Sequence, residues 1–219
     1  MARLVIFGAG DVARLAHFYF RTDSPHDVAA FVVDAAFKTA ESFDGLPLVA
    51  FEEVTHRYPP SDYGGFVAMS YAQMNRVRAA KYEAMRAAGY RCATYISSRC
   101  TYLSATPPGD NCFILEDNTV QPFVTIGRNV TLWSGNHIGH DSTIEDDCFI
   151  SSHVVVSGHV RVGAGSFLGV NATLRNAITI APRSLIGAGA VVMKDTVPGG
   201  VYYPERATRA AKSSDEIDL

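Results

Sequence analysis

Read in steps of six from Ile114, the chain gives Ile114, Val120, Ile126, Leu132, Ile138, Ile144, Ile150, Val156, Val162, Leu168, Leu174, Ile180, Ile186 and Val192, an unbroken aliphatic series. Four positions after these anchors stands a second set of small or apolar residues, among them Val124, Val130, Ser142, Cys148, Val154, Val160, Ser166, Ala172, Ile178, Ser184, Ala190 and Thr196. Glycine directly follows the anchor at 127, 139, 163, 169 and 187. A period of six is not a multiple of 3.6, so a run of amphipathic helices is excluded. The pattern predicts short strands joined by corners, each pointing one bulky and one small residue inward, with glycine relieving backbone strain at the turns. No coil of this kind buries its inner face alone, so coils stack into one continuous core.

The first hundred residues follow a different rhythm. Arg3-Leu4-Val5-Ile6-Phe7 reads as a buried strand entering Gly8-Ala9-Gly10-Asp11-Val12-Ala13, then a helix through about Phe20. Strands follow over Val28–Val33, ending at Asp34, and over Phe66–Met69. A helix covers Met74–Ala88, closed by Gly89 as its C-cap, and a last strand covers Cys92–Ile96. Alternating strands and helices imply a small, Rossmann-like parallel α/β sheet. Gly8–Ala13 matches GxGxxA, the phosphate-cradling turn of dinucleotide folds, with Asp34 where a ribose-binding acid would lie. Tight strand-to-helix turns want glycine in any case, so the match alone does not require a ligand. The stretch Thr101–Asn111, with Pro107-Pro108-Gly109-Asp110, is the natural linker. The expected division is an α/β domain over 1–100, a linker over 101–113 and the solenoid with its tail over 114–219.

Charge and composition narrow the partners. With 19 Lys and Arg against 22 Asp and Glu, the net charge is −3, and no surplus of cations exists to bind nucleic acid. No stretch approaches the roughly 20 apolar residues that span a bilayer, and no signal peptide is evident, so a cytoplasmic location is expected. Cys92, Cys100, Cys112 and Cys148 show no CxxC spacing and read as reduced thiols rather than zinc ligands. Cys148 occupies an inward small-residue position, which argues against a nucleophile. A metal site from His137, His153 and His159 has no supporting spacing, so no metal is expected.

A Gly-rich α/β domain, a Pro/Gly linker and an uninterrupted hexapeptide solenoid resemble the bacterial sugar acyltransferases that modify nucleotide-linked deoxysugars, together with the sialic acid O-acetyltransferases. The most specific segments are Trp133-Ser-Gly-Asn-His-Ile-Gly-His140-Asp141-Ser-Thr-Ile144 and Phe167-Leu168-Gly169-Val170-Asn171, closest to the perosamine-type N-acetyltransferases. The resemblance implies a left-handed parallel β-helix with three hexapeptides per turn. Residues 18 apart then stack, placing Gly158 over His140, His159 over Asp141 and His153 over Gly135. It also implies a homotrimer using acetyl-CoA and a nucleotide-linked 4-amino-4,6-dideoxy sugar. His140 matches the family's catalytic base, Asp141 the acid after it, and Gly158 the glycine whose backbone faces the thioester. Phe149, Val170, Gly187 and Ala188 match the acetyl-CoA cleft. Gly8, Ala9, Gly10 and Asp34, with Ser70 and Tyr71, match the nucleotide-sugar pocket. Two positions depart: Phe149 stands where the family often has histidine, and Tyr203-Pro204-Glu205-Arg206-Ala207 replaces its closing Gly-x-Pro-Ala.

The residues suit that chemistry. An amine must lose a proton to attack a thioester, and an imidazole with an ordinary pKa of about 6.5 is largely neutral at pH 7 and can take it. A neighbouring carboxylate fixes the tautomer, and a bare glycine N–H offers a donor to the oxyanion. Trp133 either packs at a corner or flanks substrate. Two alternatives stay open. One is sugar O-acetylation; the other is a non-catalytic β-helix scaffold, which would not need His140-Asp141 above an unobstructed glycine. A nicotinamide-binding domain is disfavoured, because the chain from Asp34 to Cys100 is too short for a six-strand dinucleotide fold.

Overall fold

The structure, a computed structural model, describes residues 3–205, 207–209, 211 and 216. The acidic run 213–218 lies outside the described residues apart from Glu216, as does Arg206 of the closing motif.

The hexapeptide period folds as a left-handed parallel β-helix. Its two-residue strands pair with partners 18 positions away, as in Thr131↔Phe149, His137↔Val155 and Thr143↔Arg161, so three hexapeptides make one coil. The coils form a prism with three flat faces. The first carries strands at 113–114, 131–132, 149–150, 167–168 and 185–186, the second those at 119–120, 137–138, 155–156, 173–174 and 191–192, and the third those at 125–126, 143–144, 161–162 and 179–180. All fourteen anchors are buried, and so are the small residues four positions on.

The glycines after the anchors have a different task from the one expected. The left-handed conformation falls three residues after every anchor from Ile114 to Ile186 instead. Asp117, Phe123, Asn129, Asp141, Asp147, His153, His159, Asn171, Ala177 and Arg183 have φ between 54° and 66°, and Gly135, Gly165 and Gly189 fill the same place. Asn and Asp tolerate this conformation, which explains why they recur at the corners. The glycine after the anchor serves close approach. A Cβ on Gly139 would lie 2.6 Å from the backbone N of Gly158, and one on Gly169 would lie 2.5 Å from that of Ala188.

The solenoid also starts earlier than its aliphatic beat. The strand expected over Cys92–Ile96 is only Tyr95–Ile96; it pairs with Phe113–Ile114 on the first face, and Thr101–Tyr102, in the expected linker, pairs with Thr119–Val120 on the second. Extending the six-step backwards gives Pro108, Tyr102 and Ile96. Proline and tyrosine break the aliphatic pattern there, although the coil continues.

In the N-terminal unit, β1 (Arg3–Phe7) pairs in parallel with β2 (Asp27–Val33) and with β5 (Tyr63–Val67). Beyond β2 lies β4 (Leu46–Ala50), and β3 (Ser42–Phe43) closes the edge antiparallel to it, so the sheet is mixed rather than wholly parallel. The β3–β4 hairpin and the short helix α2 (Phe51–Arg57) were not predicted, although Asp44-Gly45, with φ of 46° and 80°, is a two-residue hairpin turn of the kind Asp-Gly favours. Helices α1 (Asp11–Asp23) and α3 (Arg76–Ala87) cover the faces. The helix expected from Met74 begins two residues later, because Gln73, Met74 and Asn75 form three successive left-handed residues.

The two halves share one core. Tyr95, Phe113 and Leu115 of the solenoid pack with Leu4, Ile6, Phe20 and Phe66 of the α/β unit. A half-buried seam reinforces the joint. Tyr19 Oη donates to Glu116 Oε2 at 2.7 Å, and Ser134 Oγ donates to Glu116 Oε1 at 2.7 Å. Burial alone would raise the Glu116 carboxyl, but these two donors, with a backbone hydrogen bond and the nearby Arg99 charge, together overcome it and hold the group below its usual range. A depressed carboxyl contributes stability above its ordinary pKa and loses it as pH falls through the folded value. Tyr19→Phe is therefore expected to cost about 1–2 kcal/mol at pH 7, a gap that narrows as pH falls below the ordinary carboxylate range; denaturant unfolding at neutral and at acid pH checks it.

Candidate active site

Two features stand out on the assembled molecule, and they lie on different corners of the prism. The first is an imidazole–carboxylate pair on the corner between the second and third faces. His140 is two residues past the anchor Ile138, and Asp141 follows in the left-handed conformation with φ of 57°. That turn brings His140 Nδ1 within 2.8 Å of Asp141 Oδ2, leaving Nε2 without a role in the pair. The backbone N–H of His140 donates to Gln121 Oε1 at 2.9 Å, which pins the corner from the coil below.

The 18-residue stack puts Gly158 against the ring. An added Cβ there would meet His140 Nε2 at 2.7 Å and Cε1 at 2.8 Å. The backbone of Gly158 lies outside the left-handed region, so its lack of a side chain serves the imidazole and not the chain path. Its carbonyl accepts from Ala177 N at 3.0 Å, whereas its N–H meets no acceptor among the described residues. Gly158→Ala is expected to leave the melting temperature near wild type while displacing the ring and lowering turnover about 10²-fold, as steady-state kinetics on a folded variant would show.

His159 stacks on Asp141 and His153 on Gly135, as the register predicts. The backbone N–H of His159 donates to His140 O at 2.9 Å, and its Nε2 lies 3.9 Å from Asp141 Oδ2. The rings of His140 and His159 meet edge to face with centroids 5.0 Å apart. Among the described residues the group of metal-competent side chains is thus His140, Asp141 and His159, with ligand atoms within 4.8 Å of one another, and not the His137, His153 and His159 trio weighed from sequence.

The second feature is a cleft of about 550 Å³ between the α/β unit and the corner joining the first and second faces. Gly8, Ala9 and Gly10 form one rim, with the N terminus of α1; Ser70 and Tyr71 form the other; Phe149 and Val170 line the solenoid side. Gly8 is forced by packing: its φ is 132°, and a Cβ would lie 2.5 Å from Ala68 O. At Gly10 an added Cβ would meet nothing within 4 Å, so the helix N terminus is open to the cleft. Phe149 is 2% exposed and stacks on Phe167 at 5.8 Å, with Tyr71 edge-on at 5.1 Å, so it is a wall of the cleft rather than a projecting contact.

Other sequence-predicted residues fall elsewhere. Asp34 does not line this cleft; its Oδ1 receives Lys81 Nζ at 2.6 Å. Gly187 and Ala188 lie one coil beyond Val170 on the same corner stack, outside the cleft. Trp133, for which corner packing and flanking of substrate were both open, lines the cleft wall, as do Ser151 and Ser152, which sequence reasoning did not assign. Their positions one and two residues after the anchors Leu132 and Ile150 were a usable signal once the corner carrying Val170 was known. The thiols supply no competing nucleophile: burial pushes Cys148 up to about 12, where it stays protonated, and Cys100 up to about 11.

Comparison with known proteins agrees with this architecture. Residues 126–158 match the bacterial transferase hexapeptide (six repeats) family. An acyl-[acyl-carrier-protein]–UDP-N-acetylglucosamine O-acyltransferase from Sinorhizobium fredii is 25% identical over 100 residues, covering 42% of this chain and 37% of the relative. One from Burkholderia lata is 28% identical over 94 residues, covering 37% and 36%. The matches thus span little more than a third of those relatives. Three solved structures share the fold over nearly the whole chain. The perosamine N-acetyltransferase from Caulobacter crescentus, solved as a mutant in complex with CoA and GDP-perosamine, has a TM-score of 0.78 at 23% identity, covering 89% of this chain and 90% of that one. The acetyltransferase domain of PglB from Neisseria gonorrhoeae gives 0.76 at 22%, covering 92% and 96%. WeeI from Acinetobacter baumannii gives 0.77 at 17%, covering 92% and 96%. The resemblance to hexapeptide-repeat sugar acyltransferases seen in the sequence therefore holds at the level of fold.

Proposed function

We propose that the protein is an acetyltransferase that moves the acetyl group of acetyl-CoA to the amine of a nucleotide-linked 4-amino-4,6-dideoxy sugar, with His140 as general base. The observation that carries this is the His140–Asp141 pair seated on a glycine that a single methyl group would push away. A scaffold has no use for such a close fit at an exposed corner. The solved relative from Caulobacter crescentus holds CoA and GDP-perosamine on the same fold, which supports both substrates. The open N terminus of α1 suits a diphosphate.

In this mechanism Asp141 holds the His140 imidazole with Nδ1–H toward its carboxylate, which leaves the Nε2 lone pair to receive a proton. The sugar amine attacks the thioester carbonyl carbon, the C–S bond breaks, and CoA leaves with the sulfur electron pair. The proton lost by the amine passes to Nε2. The N–H of Gly158 stabilises the oxyanion formed on the way, a contribution of about 3–4 kcal/mol in comparable sites.

Within one chain the cleft and His140 occupy different corners of the prism. A homotrimer, with prisms side by side, brings the His140 corner of one copy to the cleft of the next. Among the described residues no helix is long and apolar enough to cross a membrane.

The curated relatives transfer acyl groups to a sugar hydroxyl, which favours a second reading: O-acylation. Thiol release from acetyl-CoA, measured against a panel of GDP-, UDP- and dTDP-linked amino sugars and their hydroxyl counterparts, separates the two. Turnover confined to the amines is the expected result. Turnover with hydroxyl sugars alone selects the second reading, and none with any sugar leaves a scaffold.

A further inference from the structure

We propose that His140, Asp141 and His159 form a binding site for a first-row divalent cation such as zinc, and that filling it switches acetyl transfer off. The inhibition, though not the binding, rests on the assignment of His140 as base. Two imidazoles and one carboxylate are a donor set that zinc and its neighbours accept readily, and their charge complements a dication. Tetrahedral zinc with bonds near 2.1 Å holds its donors about 3.4 Å apart. His140 Nδ1 and His159 Nε2 lie 2.8 Å and 3.9 Å from the same Asp141 oxygen, on either side of that spacing, and the three ligand atoms all lie within 4.8 Å of one another, a separation that side-chain rotation at this exposed corner can close.

The backbone fixes this arrangement. Asp141 and His159 both take the left-handed corner conformation in successive coils, and the coils are locked by His159 N donating to His140 O. Gly158 puts no side chain between them. The three side chains are 42–60% exposed, which leaves room for water on the remaining coordination positions. A bound cation takes the imidazole lone pair that the base needs, or displaces the carboxylate that orients the ring.

The test uses the full chain stripped of metal by a chelator. Calorimetric titration with zinc is run beside the thiol-release assay for wild type, His159→Asn and, as a control, His153→Asn. Asparagine removes the imidazole while tolerating the left-handed corner. Wild type is expected to bind one zinc per chain and to lose activity in step with occupancy. His159→Asn is expected to weaken both binding and inhibition at least about tenfold with zinc-free turnover unchanged, while His153→Asn behaves as wild type. No saturable binding, or binding indifferent to His159, overturns the site. Stoichiometric, His159-dependent binding without loss of turnover overturns the inhibition and the role of His140 as base, and leaves the metal site standing. The titration decides the site even where no acetyl acceptor has been found.

Discussion

Replacing His140 with alanine is expected to lower acetyl-transfer turnover about 10²–10⁴-fold while leaving the fold intact. The side chain is 52% exposed, and its polar contact is to the neighbouring Asp141, so its removal uncovers no core and strands no buried group. The corner is held by other means, since the backbone N–H still donates to Gln121 and the carbonyl still accepts from His159. Unfolding free energy is accordingly expected within about 0.5 kcal/mol of wild type. Steady-state kinetics with saturating acetyl-CoA, beside a denaturant melt, reads both numbers. A folded variant with near-wild-type turnover removes the base from the mechanism.

Arg78→Ala is expected to act the other way, costing about 3–5 kcal/mol of stability. Arg78 leaves α3 and runs, fully buried, into the solenoid. Its guanidinium donates to Thr131 Oγ1, to Asp147 O at 2.8 Å and to Cys148 O at 3.1 Å, and lies 5.7 Å over the Phe149 ring. Burial lowers its pKa to about 10, so it remains charged at neutral pH. Truncation removes the donor to Thr131 Oγ1 and Asp147 O, leaves Cys148 O with only the Thr131 N–H at 3.0 Å, and opens a void behind the cleft wall. In a chain of this length the melting temperature is expected to fall by roughly 10 °C. Arg78→Met restores much of the volume and is expected to lose less. An alanine variant melting within about 1 kcal/mol of wild type would show that α3 is held to the solenoid by its apolar contacts alone.

That clamp was not legible in the sequence. Arg78 sits in a stretch rich in Arg and Ala, where a solvated helix face is the ordinary expectation, and nothing local marks it as inward. The first coil was missed for a related reason: Tyr102 and Pro108 interrupt the aliphatic beat, and only pairing with the following coil keeps them in register. The His140 corner was more accessible. Once three hexapeptides per turn were assumed, simple counting placed Gly158 and His159 where they lie. The GxGxxA turn was also placed at the cleft, but its partner Asp34 was not, because Lys81 from α3 engages it.

The sequence by itself determined the solenoid, because each hexapeptide repeats the same local demand for one bulky and one small inward residue, and such a demand is written in the chain without reference to distant partners. With three hexapeptides per turn, it also determined which side chains meet at the His140 corner, through the 18-residue stack. Only the tertiary structure decided where the cleft opens. Its walls come from Gly8–Gly10, Ser70–Tyr71 and Trp133–Val170, segments brought together by packing of the α/β unit on the first face rather than by any period. It likewise decided what the glycines after the anchors are for, since the backbone they must clear belongs to the next coil and cannot be seen from their own turn.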